Sequence, residues 1–382
     1  GQNRYTYSIV LTNNDPEGNY NISVLATDDA GNTSATMDPV GNEFSIDTTP
    51  AVLSNLQVAH GPNPCISGGN SLVFTFDAVE TNGCGTFTNA NITVAGTATL
   101  DGDAVYVGRT GAGTAIEPYE FTYSIAIINA DPDGTINLTV DATDEAGNVS
   151  TTLNPVGDEF TIDNNGPFLY NFNVTSVNTC VSSGDQIQFT FNAVEEGCGT
   201  FNETDITIGG LAGFAAPTVN QTGIGTGAAP YLFTYTYTIP GAANGDYNIT
   251  VNATDDQANA SNTIDEAGVE FTVDNQAPVI STFNLTSSDC LANGDNATFT
   301  FQVVEDGCGT FDDSNITFIG LGALTANMTN QAGAGTVGNP YVFTYSVAIG
   351  NGPSGIYNLG IDATDASGNA AAQFSPVGNE FT

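Results

Sequence analysis

The chain repeats itself. GNYNISVLATDDAGN at 18–32 returns as GTINLTVDATDEAGN at 134–148, GDYNITVNATDDQAN at 245–259 and GIYNLGIDATDASGN at 355–369. Phe44, Phe160, Phe271 and Phe381 close four copies of Gly-x-Glu-Phe at spacings of 116, 111 and 110 residues. A unit of that length can bury a core of its own, so the chain is a series of domains and not a solenoid of small turns. The phase is informative. YTYSIV from residue 5 matches FTYSIA from residue 121, so the sequence opens deep inside a repeat and stops at Thr382 within a last strand. The expected organisation is the C-terminal half of a repeat at 1–49, repeats at 50–165 and 166–276, and a repeat at 277–382 whose last strand is truncated. A half-repeat on its own would expose one apolar face and unpaired edges, so either the natural chain is longer or another chain completes it.

Within each repeat, LVFTFDAV (72–79), QIQFTFNAV (186–194) and ATFTFQVV (297–304) alternate large apolar residues with Thr, Gln or Asp, the period of half-buried strands. ANITVAG (90–96), YEFTYSIAI (119–127), INLTVDA (136–142) and EFTID (159–163) do the same, separated by Gly, Asn, Asp and Pro clusters. Helical periodicity is absent. About seven short strands per repeat point to an all-β chain of tandem antiparallel two-sheet sandwiches of immunoglobulin type in an extended array.

Charge narrows the function. Forty-two Asp and Glu face only two basic residues, Arg4 and Arg109, for a net charge of −40. Such a surface repels phosphate backbones and anionic lipid, which removes nucleic acid and electrostatic membrane docking as partners. No Lys is present for Schiff-base chemistry, and a single His, His60, leaves no ordinary Ser/His/Asp triad or multi-histidine metal centre. No run of eighteen apolar residues exists to span a bilayer as a helix.

Taken together, F-x-x-(V)-E, G-T-F, (N/D)-I-T, A-T-D-x-A-G-N and E-F-x-(I/V)-D-x-x-x-P resemble the bacterial Ig-like repeats of large secreted and cell-surface adhesins and surface filaments. The third copy departs from the pattern as ATDDQAN, with the linker VDNQAP. The resemblance implies extracellular, non-catalytic arrays, often with calcium at the domain junctions.

Carboxylates recur at positions that an alternating sandwich brings to one pole. At the end of the second strand, in the F–G loop and at the start of the last strand lie Glu80, Asp144 and Glu159, then Glu195, Asp255 and Glu270, then Glu305, Asp365 and Glu380. The preceding linkers contribute Asp47, Asp163 and Asp274. With almost no Arg or Lys to offset them, these acids invite water, protonation or a hard cation such as calcium. The competing reading is that the Asp and Asn of A-T-D-x-A-G-N build an Asx-type turn while the linker Asp caps backbone amides.

Six cysteines, two per complete repeat, fit disulfides in an oxidising compartment better than catalytic thiols. Pairing Cys65 with Cys84 would have to cross an eight-residue strand of roughly 26 Å, so staples between neighbours, Cys65–Cys198 and Cys180–Cys308, compete with closure inside each repeat. Under the staple alternative Cys84 and Cys290 bond to repeats or chains outside this one. Fifteen Asn-x-Ser/Thr sequons exceed the chance expectation, and Asn21, Asn91, Asn137, Asn173, Asn248, Asn284 and Asn315 are candidate glycan sites, with Asn21, Asn137 and Asn248 at one equivalent outward position. Tyr20, Tyr247 and Tyr357 begin one equivalent strand and are expected to pack, as corner tyrosines do. His60 and Arg109 have no repeated counterpart, and the Gly-rich stretches at 108–113, 223–227 and 333–338 lack the Lys and helix of a phosphate loop.

The expected function is therefore that of a non-enzymatic extracellular structural protein on the cell surface: the tandem shaft of a filament or adhesin, polymerising or completed by strand sharing. Its partners would be copies of itself or neighbouring repeats, with surface glycans or receptors as adhesive targets. The alternative is a ligand- or carbohydrate-binding adhesion module, which the lack of any Trp disfavours. A glycoside hydrolase built on paired carboxylates is disfavoured because the acids recur in every repeat.

Overall fold

The computed structural model describes residues 3–382 apart from 13, 39–40, 42, 60–63, 82–83, 155–159, 176–178, 242, 266–267, 351–353 and 377–379. His60 and Glu159 therefore lie outside the described residues. The chain divides into two compact units. One comprises Gly1–Gly166 with Gly197–Thr200 and Asp255–Asn259, the other Pro167–Glu196, Phe201–Thr254 and Ala260–Thr382.

In the first unit the segment 1–49 contributes β1 (Gly18–Tyr20) and β2 (Phe44–Ile46), paired antiparallel. The repeat after it contributes β3 (Val52–Val58), β4 (Cys65–Ile66), β5 (Ser71–Val79), β6 (Ile92–Ala95), β7 (Val105–Thr110), β8 (Tyr119–Ala126), β9 (Gly134–Ile136), β10 (Thr139–Ala142) and β11 (Phe160–Ile162). One sheet runs β3-β5-β8-β7; facing it are β10-β6 and β4-β11-β9. Alternation sends Leu72, Phe74, Phe76 and Ala78 of β5 to the same side, where all are buried, in register with Ile125, Tyr123, Phe121 and Tyr119 of β8. The stacked pairs Phe76–Phe121 and Phe74–Tyr123 form the centre of the core. Each fully buried Phe contributes about 1.5–3 kcal/mol through its transfer from water.

The second unit holds two further cores. Around the first lie β12 (Phe168–Val174), β13 (Cys180–Val181), β14 (Gln186–Val194), β15 (Ile206–Gly209), β16 (Thr218–Thr222), β17 (Tyr231–Thr238), β18 (Gly245–Tyr247), β19 (Thr250–Ala253), β20 (Ile264–Asp265) and β21 (Phe271–Val273). Around the second lie β22 (Val279–Leu285), β23 (Asn296–Val304), β24 (Ile316–Ile319), β25 (Ala326–Ala332), β26 (Tyr341–Ala348) and β27 (Gly360–Ala363). The sheets β12-β14-β17-β16 and β22-β23-β26-β25 repeat the order of the first unit.

Among the described residues all pairings are antiparallel except β4 with β11 and β13 with β21, where a two-residue strand opened by a cysteine lies parallel to the last strand. That exception to a purely antiparallel sandwich matters below, because it decides where each cysteine stands. The strand read as continuous over 136–142 is broken between β9 and β10, with Leu138 at the break fully buried. Tyr20, Tyr247 and Tyr357 stack on Phe44, Phe271 and Phe381 with ring centroids 5.2, 5.1 and 5.1 Å apart, which makes them packing residues. No helix among the described residues is long and apolar enough to cross a membrane.

Candidate functional site

Each A-T-D-x-A-G-N segment folds into one turn. Asp144 Oδ1 accepts the N–H of Asn148 at 2.9 Å and its Oδ2 accepts the Asn148 amide at 2.8 Å. Asp255 with Asn259, Asp365 with Asn369, and Asp28 with Asn32 repeat the pair. This is the Asx-type turn, and it occupies one lone pair on each oxygen of the loop carboxylate. The same Asn amide reaches further, to a linker carbonyl: Asn148 to Asp47 O at 3.2 Å, Asn259 to Asp163 O at 3.0 Å and Asn369 to Asp274 O at 2.9 Å. The Asn is therefore the residue that ties the loop to the linker. Its recurrence in every copy was a signal for that role.

One set of acids converges within the second unit. Carboxylate oxygens of Asp274, Glu305 and Asp365 all lie within 4.8 Å of one another. Asp274 and Asp365 are 5% and 6% exposed. Asp274 Oδ1 caps the N–H of Gln276 at 3.0 Å, whereas its buried Oδ2 has no hydrogen-bond partner. Glu305 Oε1 accepts the N–H of Gly307 at 2.7 Å. Burial, opposed by that hydrogen bond and reinforced by Asp274, Asp365 and Asp306, pushes the Glu305 carboxyl up to about 7. Three carboxylates with an open buried oxygen could hold a metal ion, and their hard oxygens suit a divalent cation of the calcium or magnesium class.

The first unit carries the same elements. Asp47 Oδ1 accepts the N–H of Thr49 at 3.2 Å and its Oδ2 the N–H of Cys84 at 3.3 Å. Burial first, then the charges of Asp47, Asp144 and Glu17, raise Glu80 to about 7, and its Oε2 is buried without a partner. Glu17, which the sequence did not single out, anchors the linker by accepting from the Thr48 N–H and from both Thr48 and Thr49 hydroxyls. Asp163, 1% exposed, is raised by burial; its Oδ2 accepts the N–H of Cys198 at 3.1 Å, its Oδ1 has no partner, and Asp255 adds a repulsive charge. In the second unit Glu195 follows β14 and donates its N–H to Gly225 O at 2.8 Å.

Two acids expected at this pole stand elsewhere. Glu270 Oε2 accepts the N–H of Ile249 at 2.7 Å and Glu380 Oε2 that of Leu359 at 2.8 Å. They fill the break in their own repeat's penultimate strand, as Glu43 does for Ile22. The reason is that the last strand, β21, pairs with β18, Phe271 opposite Tyr247, so its first residue sits partway down the sheet and not at its end. Glu159, their counterpart in the first unit, lies outside the described residues.

Cys65 is bonded to Cys198 and Cys180 to Cys308, with Cα atoms 5.7 and 5.5 Å apart, so each bond fastens a loop of one repeat to a strand of the repeat before it. Beside the second bond, Ser182 Oγ donates to Ser367 O at 2.9 Å. Cys84 and Cys290 are free, and burial raises the Cys84 thiol pKa. Of the sequon residues, Asn21, Asn137, Asn173, Asn248 and Asn284 are exposed. Asn91 and Asn315 instead close 3-10 turns, their amides donating to Thr143 O at 2.9 Å and Thr364 O at 2.8 Å. Asp205 closes the same turn in the intervening repeat, so that position is a cap by construction. Arg109, with its guanidinium 4.1 Å from the Tyr119 ring centroid, donates to Phe87 O and is a packing cation.

Likenesses to solved structures are slight. The FdeC adhesin of Escherichia coli is 16% identical, with 87% of this chain and 97% of that one covered at a TM-score of 0.32. The D00–D0 domain of intimin is 13% identical over 56% of this chain and all of that one, at 0.28. Domains 4–9 of the surface layer protein SbsC are 14% identical over 72% and 38%, at 0.19. No curated protein matches the chain. Residues 1–157 and 231–377, most of the sequence, match the bacterial Ig-like domain, group 3. With its repeated sandwiches and recurrent A-T-D-x-A-G-N turns, the chain belongs to that family.

Proposed function

We propose that this chain is an extracellular structural protein, the tandem shaft of a cell-surface adhesin or filament, in which sandwiches 50–165, 166–276 and 277–382 act as spacers and 1–49 is half of another. The observation that carries this reading is the repeated junction. In each case an Asn amide holds the linker carbonyl, twice a linker Asp accepts a backbone N–H of the following Gly-Cys-Gly loop, and twice a disulfide fastens consecutive repeats. Such fastening restricts bending, which is what a spacer requires and a catalyst does not.

Calcium is the cation we assign to Asp274, Glu305 and Asp365, with Asp47, Glu80 and Asp144, and Asp163 of the next linker with Asp255 of its turn, as weaker candidates. Asp274 Oδ2 provides the open oxygen, and repulsion among the three acids would be relieved by a divalent charge. The strong excess of acid and the scarcity of Lys and Arg leave no competing protein cation at the cluster. Exposed Asn21, Asn137, Asn173, Asn248 and Asn284 are the proposed glycan carriers. Partners would be further repeats along the fibre and surface glycans or receptors at its tip.

The test is thermal unfolding of the whole chain in chelator and again with calcium at millimolar concentration. A rise in melting temperature that Asp274→Asn abolishes supports the junction cation. An unchanged profile removes the cation and leaves only the disulfides and hydrogen bonds as stiffeners.

A further inference from the structure

The disulfide between Cys65 and Cys198 has a third group beside it. The two sulfurs and a carboxylate oxygen of Asp163 all lie within 4.8 Å of one another, and all three residues belong to the first unit. Asp163 is 1% exposed; its Oδ2 accepts the Cys198 N–H, while its Oδ1 is buried without a hydrogen-bond partner. The other disulfide is furnished differently. There Ser367 Oγ stands 2.9 Å from Cys180 Sγ and 3.6 Å from Cys308 Sγ, and among the described residues no carboxylate joins those two sulfurs in such a group. The residue at the place of Ser367 in the preceding repeat is Gln257.

The groups at Cys65 and Cys198 are held by bonds that do not depend on the S–S link. Cys65 opens β4, and the pairing of β4 with β11 is fixed by the Thr161 N–H to Pro64 O at 2.9 Å and the Asp163 N–H to Ile66 O at 3.0 Å. Cys198 is held by its own N–H, and its loop by Asp256, whose Oδ2 accepts the Thr200 N–H at 2.7 Å and the Thr200 hydroxyl at 3.1 Å. A Cβ on Gly197 would stand 2.0 Å from Asp163 Oδ2, so glycine is what lets the loop close on this carboxylate. Opening the disulfide therefore leaves two thiols fixed next to a buried carboxylate. A tetrahedral zinc, with bonds of about 2.3 Å to sulfur and about 2.1 Å to oxygen, needs its ligand atoms about 3.6–3.8 Å apart. Side-chain rotation from the present spacing reaches that.

We propose that Cys65, Cys198 and Asp163, once the disulfide is reduced, form a site for a thiophilic divalent cation of the zinc class, with water as the fourth ligand. The site goes beyond the calcium assigned to the junction acids, because two thiolates select a soft ion where calcium takes oxygen alone. The chemistry balances in two steps. A phosphine reductant takes two electrons and becomes its oxide, water supplying the oxygen and the two protons that the sulfurs gain. The two thiols then release those protons as the divalent ion binds. This junction thus has two fastenings at one place, covalent when oxidised and metal-held when reduced. At Cys180 and Cys308 the third group is a neutral hydroxyl, which is not an ordinary zinc ligand, so that pair reduces to a plain dithiol.

The test uses the whole chain with Cys84→Ser and Cys290→Ser in two forms, one also carrying Cys180→Ser and Cys308→Ser, the other Cys65→Ser and Cys198→Ser. Each is reduced with a phosphine in millimolar calcium, which occupies all-oxygen sites, and is titrated with cobalt(II) and then with zinc. The form keeping Cys65 and Cys198 should take up one cobalt with a thiolate-to-metal charge-transfer band and the strong visible absorption of tetrahedral cobalt, both lost on adding zinc. Native mass spectrometry should show one zinc less two hydrogens. The form keeping Cys180 and Cys308 should bind about tenfold or more weakly. Asp163→Asn in the first form should weaken binding by a similar factor, since even outer-shell partners of a metal carry about that much. If reduction unfolds the first form, recovery of its β-sheet circular dichroism on adding zinc supports the site, and failure to recover it overturns the proposal. Equal affinity in the two forms, unchanged affinity in Asp163→Asn, or bound cobalt without the charge-transfer band also overturns it.

Discussion

Replacing Glu305 with Gln isolates the electrostatic cost of the acid cluster. Burial and the neighbouring Asp274, Asp365 and Asp306 raise this carboxyl to about 7 from an ordinary 4.5. The folded chain therefore holds the proton more tightly than the unfolded chain, and stability declines as pH rises from about 4.5 and levels off above about 7. At about 1.36 kcal/mol per tenfold, the full effect is about 3 kcal/mol, and solvent screening of a partly buried group reduces it to about 1–2 kcal/mol. Gln is neutral throughout. Its Oε1 can keep the hydrogen bond from Gly307, and its amide can donate toward Asp274 Oδ2, which has no partner. In chelator at pH 8 the variant should be more stable by about 1–2 kcal/mol, a melting temperature about 2–6 °C higher for a unit of this size. At pH 4.5 the difference should vanish. Calcium should raise the parent more than the variant, because Gln removes a charged ligand. The measurement is calorimetry across pH, with and without calcium. A variant no more stable than the parent at pH 8, or one stabilised equally at both pH values, would refute the reasoning.

Three further outcomes follow from local geometry. Ala258 has φ +67° where the other copies place Gly31, Gly147 and Gly368 at +88°, +92° and +88°, so Ala258→Gly should stabilise by about 1 kcal/mol in denaturant titrations. Cys180→Ser with Cys308→Ser opens a bond of sequence separation 128 and should cost about 2–4 kcal/mol, with a matching fall in the denaturation midpoint. If the chain is made in a host that glycosylates Asn-x-Ser/Thr, glycopeptide mapping should find Asn137 and Asn248 modified and Asn91 and Asn315 bare, because the latter pair closes turns.

Strand content was legible because it is local. A period of two, interrupted by Gly, Asn and Asp, is written directly in 72–79, 186–194 and 297–304, and β5, β14 and β23 occupy those stretches. The A-T-D-x-A-G-N turn was equally local, since its Asp and Asn lie four residues apart and bond each other. What was not legible was vertical position within a sheet. Glu270 and Glu380 looked like loop-end acids, but the offset of the last strand against its neighbour sets them beside a break in the backbone, where an amide claims each carboxylate. Asn91 likewise reads as a sequon until the cap it forms with Thr88 is seen.

By itself the amino-acid sequence determined that this is a chain of repeated β-sandwiches with acids and cysteines recurring at equivalent positions, because alternation and periodicity are short-range properties that any fold of the chain must respect. Tertiary structure alone decided which turns meet. Cys65 and Cys198 are separated by 133 residues and are brought together by the parallel pairing of the two-residue β4 with β11, too short to show a pattern. The same long-range closure gathers Asp274, Glu305 and Asp365. Contacts of that kind depend on how sheets register and stack, and no local window of residues records them.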